Sequence, residues 1–147
     1  MKHLLIIIIS ILLLSSPVIG EETGVLYQYE TSSDFVWKTF GDEKVQHKYK
    51  GEIKNGKPNG VGILYENFEI KYMGGWKNGL FHGIGTFDSL DGLVYVGEYK
   101  KGKRDGQGKQ TFPHGEKFVG EFNDGEMWNG QFINGNIISK VVKGELQ

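Results

Sequence analysis

One spacing limits what this chain can fold into more than anything else in it. Tyr49, Tyr72, Tyr95 and Phe118 stand 23 residues apart. Gly51, Gly74, Gly97 and Gly120 keep the same step, as do Gly56, Gly79, Gly102 and Gly125. Gly60, Gly83 and Gly106 follow it, and so do Gly62, Gly85 and Gly108. A fixed period of this length signals a repeat architecture, in which each unit buries its apolar face only against its neighbours.

Inside a unit the apolar period is two rather than 3.6. Tyr72, Gly74 and Trp76 fall on one face of a strand, with Met73, Gly75 and Lys77 on the other. The same aromatic-x-Gly-x-aromatic strand recurs as Tyr95-Gly97-Tyr99 and Phe118-Gly120-Phe122, and as Tyr49-Gly51-Ile53 in the first unit. Turn chemistry follows each one: Asn55-Gly56, Asn78-Gly79, Lys101-Gly102, Asp124-Gly125. Asn-Gly and Asp-Gly tolerate the positive φ angles of a tight hairpin. A second strand then opens at Gly60-Val61-Gly62, Gly83-Ile84-Gly85 and Gly106-Gln107-Gly108. The predicted fold is all-β, an elongated single-layer antiparallel sheet of stacked hairpins. Strands lie about 4.8 Å apart, so a two-strand unit advances about 10 Å. Rings one unit apart meet only by leaning over the strand between them, where Gly62, Gly85 and Gly108 offer bare backbone.

The ends depart from the period. Val25–Tyr29 and Phe35–Phe40, separated by Thr31-Ser32-Ser33-Asp34, read as a capping hairpin, with Gly41–Lys48 a loop. Glu69 stands where later units have Gly92 and Gly115. After Gly125 the repeat reads as cut short, with Trp128-Asn129-Gly130-Gln131-Phe132 restarting an aromatic-Gly-aromatic strand. Ile137–Val142 reads as a closing strand. Ahead of all this, Met1-Lys2-His3 is basic, Leu4–Leu14 is apolar apart from Ser10, and Ser15-Ser16-Pro17 precedes Val18-Ile19-Gly20. That is the three-part pattern of a cleavable helical signal peptide, too short for the roughly 20 apolar residues of a spanning helix. The expected layout is a signal peptide at 1–20, a hairpin cap and loop at 21–48, repeats at 49–135 and a cap strand and tail at 136–147. The mature protein is expected in a periplasmic, extracellular or envelope compartment.

The spacing Tyr-x-Gly-Glu-aromatic-x-x-Gly-x-x-x-Gly-x-Gly resembles the MORN (membrane occupation and recognition nexus) repeat over about Tyr49–Gly135. Tyr95-Val96-Gly97-Glu98-Tyr99, Gly102, Gly106-Gln107-Gly108 and Phe112-Pro113-His114-Gly115 carry it best. Tyr72–Gly92 follows with Gly75 where the family favours Glu, and Phe118–Phe122 matches as a first half. The resemblance implies scaffolding, through contacts to proteins or to acidic lipid headgroups.

Composition and motifs narrow the chemistry. With no cysteine, disulfides, thiolate catalysis and zinc-thiolate sites are excluded. A net charge of −1 lacks the basic excess of a nucleic-acid binder. Gly97-x-x-x-x-Gly102-Lys103 and Gly51-x-x-x-x-Gly56-Lys57 mimic a phosphate loop, but Arg104 and Pro58 follow and no helix does, so no nucleotide is expected. His47, His82 and His114 lack metal-ligand spacing. His82, in phase with Asn59 and Asp105 before a glycine, reads as a positive-φ turn residue. Glu52, Glu98 and Glu121 share a phase opposite the rings. They leave a minor saccharide-active reading, but flanking lysines fit a solvated face better.

Two surfaces remain as candidates for binding. One is an aromatic groove of Tyr72, Trp76, Tyr95, Tyr99, Phe118, Phe122 and Trp128, suited to a protein partner. The other is the basic hairpin tip Lys100, Lys101, Lys103 and Arg104, suited to an anionic membrane surface. The reading is a non-enzymatic interaction scaffold without cofactor or metal.

Overall fold

The computed structural model describes residues 22–147, so the signal-peptide reading of 1–20 lies outside it. The described residues contain strands and turns and no helix. In chain order the strands are β1 (Glu22–Glu30), β2 (Phe35–Lys38), β3 (His47–Lys54), β4 (Lys57–Glu66), β5 (Glu69–Lys77) and β6 (Leu80–Asp88). They continue as β7 (Val94–Lys100), β8 (Lys103–Thr111), β9 (Lys117–Asn123), β10 (Glu126–Asn134), β11 (Ile137–Val142) and β12 (Glu145–Leu146). All twelve form one open antiparallel sheet in the order β12-β11-β10-β9-β8-β7-β6-β5-β4-β3-β1-β2.

The expected turns close the hairpins β3/β4, β5/β6, β7/β8 and β9/β10. Asn55 and Gly56 have φ of 52° and 71°, Asn78 and Gly79 52° and 83°, Lys101 and Gly102 51° and 83°, and Asp124 and Gly125 50° and 98°. Two successive positive φ values make a type I′ turn, whose twist matches that of the paired strands. The last three of these turns are also tied to the unit before them. The Gly79, Gly102 and Gly125 amides donate to the Pro58, Phe81 and Arg104 carbonyls at 2.8–2.9 Å.

One row of glycines threads the sheet. Gly24 faces Gly51, which faces Gly62, and the register continues through Gly74, Gly85, Gly97, Gly108 and Gly120 to Gly130. Val141, opposite Gly130, closes the row at the C-terminal end. The rings occupy the space these residues leave. A Cβ on Gly85 would stand 2.6 Å from ring carbons of Tyr72, and one on Gly108 would stand 2.7 Å from those of Tyr95. Having crossed its glycine, each ring meets the next unit edge-on. The centroids are 5.1 Å apart for Tyr49–Trp76, 5.4 Å for Tyr72–Tyr99 and 4.9 Å for Tyr95–Phe122. Edge-to-face pairs at this separation add stabilisation beyond the area they bury, about 0.5–1.5 kcal/mol each. Tyr49, Tyr72, Tyr95 and Phe118 are 0% exposed in a sheet with no second layer.

The N-terminal cap explains part of that burial. Across a flat sheet β2 and β5 would lie about 19 Å apart, four strand spacings. Yet the Trp37 ring on β2 sits 5.8 Å from Trp76 and 5.9 Å from Tyr49. The sheet therefore curls at this end and lays β2 back over its own ring face.

Three expectations need correction. The chain after Gly125 does not restart a first strand: β10 is the second strand of a complete fourth hairpin, with Gly130 opposite Gly120 and Phe132 opposite Phe118. A bulge between Met127 and Asn129 carries this change, so Met127 rather than Trp128 faces Phe122. Trp128 is left half-buried by the last turn, its carbonyl accepting the Gly144 amide at 2.8 Å. Finally, His82 lies within β6 and the positive φ belongs to Gly83. The equivalent Asn59 and Asp105 act through their side chains, accepting the Asn78 and Asp124 amides at 3.3 Å. Glu69 also gains an explanation. The β4/β5 connection is a two-residue turn, Asn67-Phe68, and a register shift near Tyr65 absorbs the length that later units spend on five-residue loops.

Candidate functional site

Six of the seven proposed groove rings form the core. Tyr72, Trp76, Tyr95, Tyr99, Phe118 and Phe122 are all buried, and Trp128 stands outside their cluster. The Tyr49, Tyr72 and Tyr95 hydroxyls are used as well, donating to the carbonyls of Glu52, Gly75 and Glu98 at 2.6, 2.8 and 3.0 Å. Burial pushes the Tyr95 phenol up to about 12 and raises Tyr72 and Tyr99 well above the usual range.

Four partly reachable rings stand on, or just after, the second strands. Phe81, Phe87, Phe112 and Phe132 pack against the core while half-exposed. Phe81 stacks on Tyr72 with centroids 3.7 Å apart. Two hollows meet at Phe81, Phe87 and Gly102. One of about 360 Å³ runs beneath β2 past Leu64, Trp76 and Leu80, with His47 and Lys71 at its margin. The other, of about 410 Å³, continues past Leu93 and Tyr99 to Lys103, Arg104 and Gly125. Together they form a mostly apolar trough whose rim carries Asp34, Lys71, Lys103 and Arg104, the usual make-up of a site that orients an apolar ligand by a few polar contacts.

The basic tip divides. Lys100 and Lys101 are exposed and carry no ion pair among the described residues. Lys103 pairs with Asp124 at 2.8 Å. Arg104 turns inward: it pairs in register with Tyr99, as Phe81 does with Trp76, so alternation sends it to the ring face. Its guanidinium carbon lies 5.7 Å from the Tyr95 ring centroid and 5.4 Å from that of Phe122. This position was legible in the hairpin register, counted back from the Lys101-Gly102 turn.

The recurring glutamates have structural work. Glu98 accepts the Gln107 amide at 2.8 Å and Glu52 the Val61 amide at 3.2 Å, covering backbone donors at the bulges. Glu121 accepts from the Asn129 side chain at 2.7 Å. A Cβ on Gly60 or Gly106 would strike these carboxyl groups, whereas Gly83 has open space, because its unit carries Gly75 in place of Glu. A Cβ on Gly75 would in turn collide with the His82 carbonyl, so the backbone there fills the space itself. A separate hollow near the Ser89 loop holds Glu66, Glu69 and Asp88. Glu66 is held below the usual carboxylate range by Lys71, and then by His47, against the opposing effect of burial. Burial and the Glu69 charge raise Asp88. Among the described residues no group of three or more histidine or carboxylate side chains could hold a metal ion.

An array of hairpins threaded by glycine and filled by rings defines a β-repeat protein. The family model for the MORN repeat matches residues 49–67, 72–94 and 95–117, and these three segments are MORN repeats. The β9/β10 hairpin continues the same geometry beyond the matched residues. No curated protein matches the chain. MORN repeats are non-catalytic modules of protein and membrane interaction.

Proposed function

We propose that the mature protein is an exported, non-enzymatic scaffold that binds a protein partner in the trough around Phe81, Phe87 and Leu93. The observation that carries this reading is the trough itself. Half-exposed aromatic side chains line two joined hollows, on a fold whose first-strand rings are consumed by its own packing. Export rests on the basic, apolar and small-residue order of Met1–Gly20. The alternative, adhesion to an acidic bilayer through the β7/β8 tip, keeps only Lys100 and Lys101. At about 1 kcal/mol for each cation near an anionic surface, two give weak and salt-sensitive binding.

The geometry also chooses the variants. Trp76 and Tyr99 are core, so truncating them would unfold the site along with the sheet. Phe87→Ser with Leu93→Ser strips the trough and spares the ring column. Pull-down from the native envelope or medium should recover a partner with the wild-type protein and lose it with this pair, which keeps its β-sheet circular dichroism at a lowered melting temperature, since Phe87 packs against the core. The recovered protein should begin near Glu21. Full recovery by the folded double variant would contradict the trough, and a retained Met1 would contradict cleavage of the leader.

A further inference from the structure

The third unit breaks the chemistry of the ring face at two positions together. The residue opposite the second first-strand aromatic is Phe81 in the second unit and Met127 in the fourth, but Arg104 in the third. The residue opposite the first aromatic is Leu64, Phe87 and Phe132 in the other units, but Gln110 here. Gln110 is buried, and its Oε1 accepts from Arg104 Nη1. Arg104 Nη2 donates to the Gly125 carbonyl at 2.7 Å.

Both acceptors are neutral. Arg104 is half-buried between two aromatic rings and pairs with no carboxylate among the described residues. A charge drawn out of water is ordinarily paired. A guanidinium carries five N–H donors in a planar fork, and two are engaged here. No carboxylate lines the hollow at its side, where Phe81, Phe87 and Leu93 form the apolar wall. Apolar wall and uncompensated cation share one cavity, and one ligand can satisfy both.

We propose that Arg104 is the anion-recognising residue of the trough, and that the partner docks a peptide segment in which a carboxylate adjoins an aromatic or long aliphatic side chain. This rests on the trough reading above. The side chain enters between Phe81, Phe87 and Leu93, and the carboxylate accepts hydrogen bonds from the free edge of the guanidinium. Gln110 and Gly125 hold the fork in place, and the Tyr95 and Phe122 rings fix its plane.

The test uses two pairs of peptides against the mature protein, by calorimetry at low and moderate salt. The first pair is acetyl-Gly-Leu-Phe with a free C-terminal carboxylate and the same peptide amidated. The second is acetyl-Gly-Leu-Phe-Asp-Gly-amide and its Asn counterpart, which separates a side-chain carboxylate from a terminal one. Arg104→Met with Gln110→Phe installs the apolar pair that the fourth unit already uses. The wild-type protein should prefer at least one acid peptide to its neutral twin by about tenfold or more, the scale of a charged hydrogen bond. The double variant should lose that preference while melting no lower than the wild type. Equal binding of both twins, binding of neither, or a preference kept by the double variant overturns the proposal. A clear loss of melting temperature in the double variant also overturns it, by showing that the polar pair serves the fold. Native-partner recovery by the Phe87→Ser and Leu93→Ser protein is scored separately, so the trough can stand when this proposal falls.

Discussion

Gly74→Ala will lower the melting temperature by about 10 °C or more, a larger effect than one methyl group has at most surface positions. A Cβ there would stand 2.5 Å from the Gly85 Cα, 2.6 Å from the Ile84 carbonyl oxygen and 2.8 Å from the Tyr72 hydroxyl. Two of those three neighbours are backbone and the third is held by the Gly75 carbonyl, so no rotamer change relieves the contact. Overpacking in a well-packed core costs about 1–3 kcal/mol, and more when backbone must move. We expect about 3 kcal/mol or above, which for a chain of this size corresponds to the stated shift. Gly115→Ala is the control. Its Cβ would meet nothing within 4 Å, and only its φ of +93° opposes the change. About 1 kcal/mol is expected there. Thermal melts of the two variants side by side check the difference, and equal shifts would mean that side-chain space across the glycine row does not limit stability.

High pH will unfold the protein in a single transition. Four of the seven tyrosines, Tyr49, Tyr72, Tyr95 and Tyr99, are buried, and burial raises the phenols of Tyr72, Tyr95 and Tyr99, Tyr95 to about 12. An unfolded chain releases these protons near pH 10. Below that pH neither state ionises and the stabilisation is complete. Above it the unfolded state binds fewer protons than the folded one, so stability falls as pH rises. Phenolate absorbance from the buried tyrosines should therefore appear together with loss of the β-sheet circular dichroism between about pH 10 and 12. If every tyrosine titrated near pH 10 with the sheet intact, the rings would not be sealed.

Much of this was readable before any coordinates. The 23-residue step, the Asn-Gly and Asp-Gly turns and the aromatic-Gly-aromatic strands are local patterns with local causes, and they define the hairpins and the lean of ring over glycine. What the sequence hid was the consequence of small shifts in register. Between Gly125 and Gly130 the fourth unit is one residue shorter than the third is between Gly102 and Gly108. The bulge there exchanges Trp128 for Met127 on the ring face. Alternation alone counts through such a bulge without seeing it. The trough escaped notice for another reason. Its residues occupy second-strand positions where Phe81, Arg104 and Met127 are interchangeable in place but not in type, so no periodic signal marks them. Arg104 looked like a tip cation because it sits two residues past a turn, beside three lysines. Its inward direction follows from pairing with Tyr99. The fold-back of β2, which brings Trp37 against Trp76, depends on curvature that no local pattern encodes.

The central claim is that each unit is held to the next by a ring lying on a residue without a side chain. A double-mutant cycle on Gly108 and Tyr95 tests it most directly, because the three atoms nearest a Cβ at Gly108 all belong to the Tyr95 ring. Chemical denaturation of the wild type, Gly108→Ala, Tyr95→Ala and the double variant gives the coupling. Gly108→Ala should cost about 2 kcal/mol less once Tyr95 is truncated, since the clash has gone with the ring. Additive losses, within about 0.5 kcal/mol, would show that ring and glycine do not depend on one another and would contradict the account.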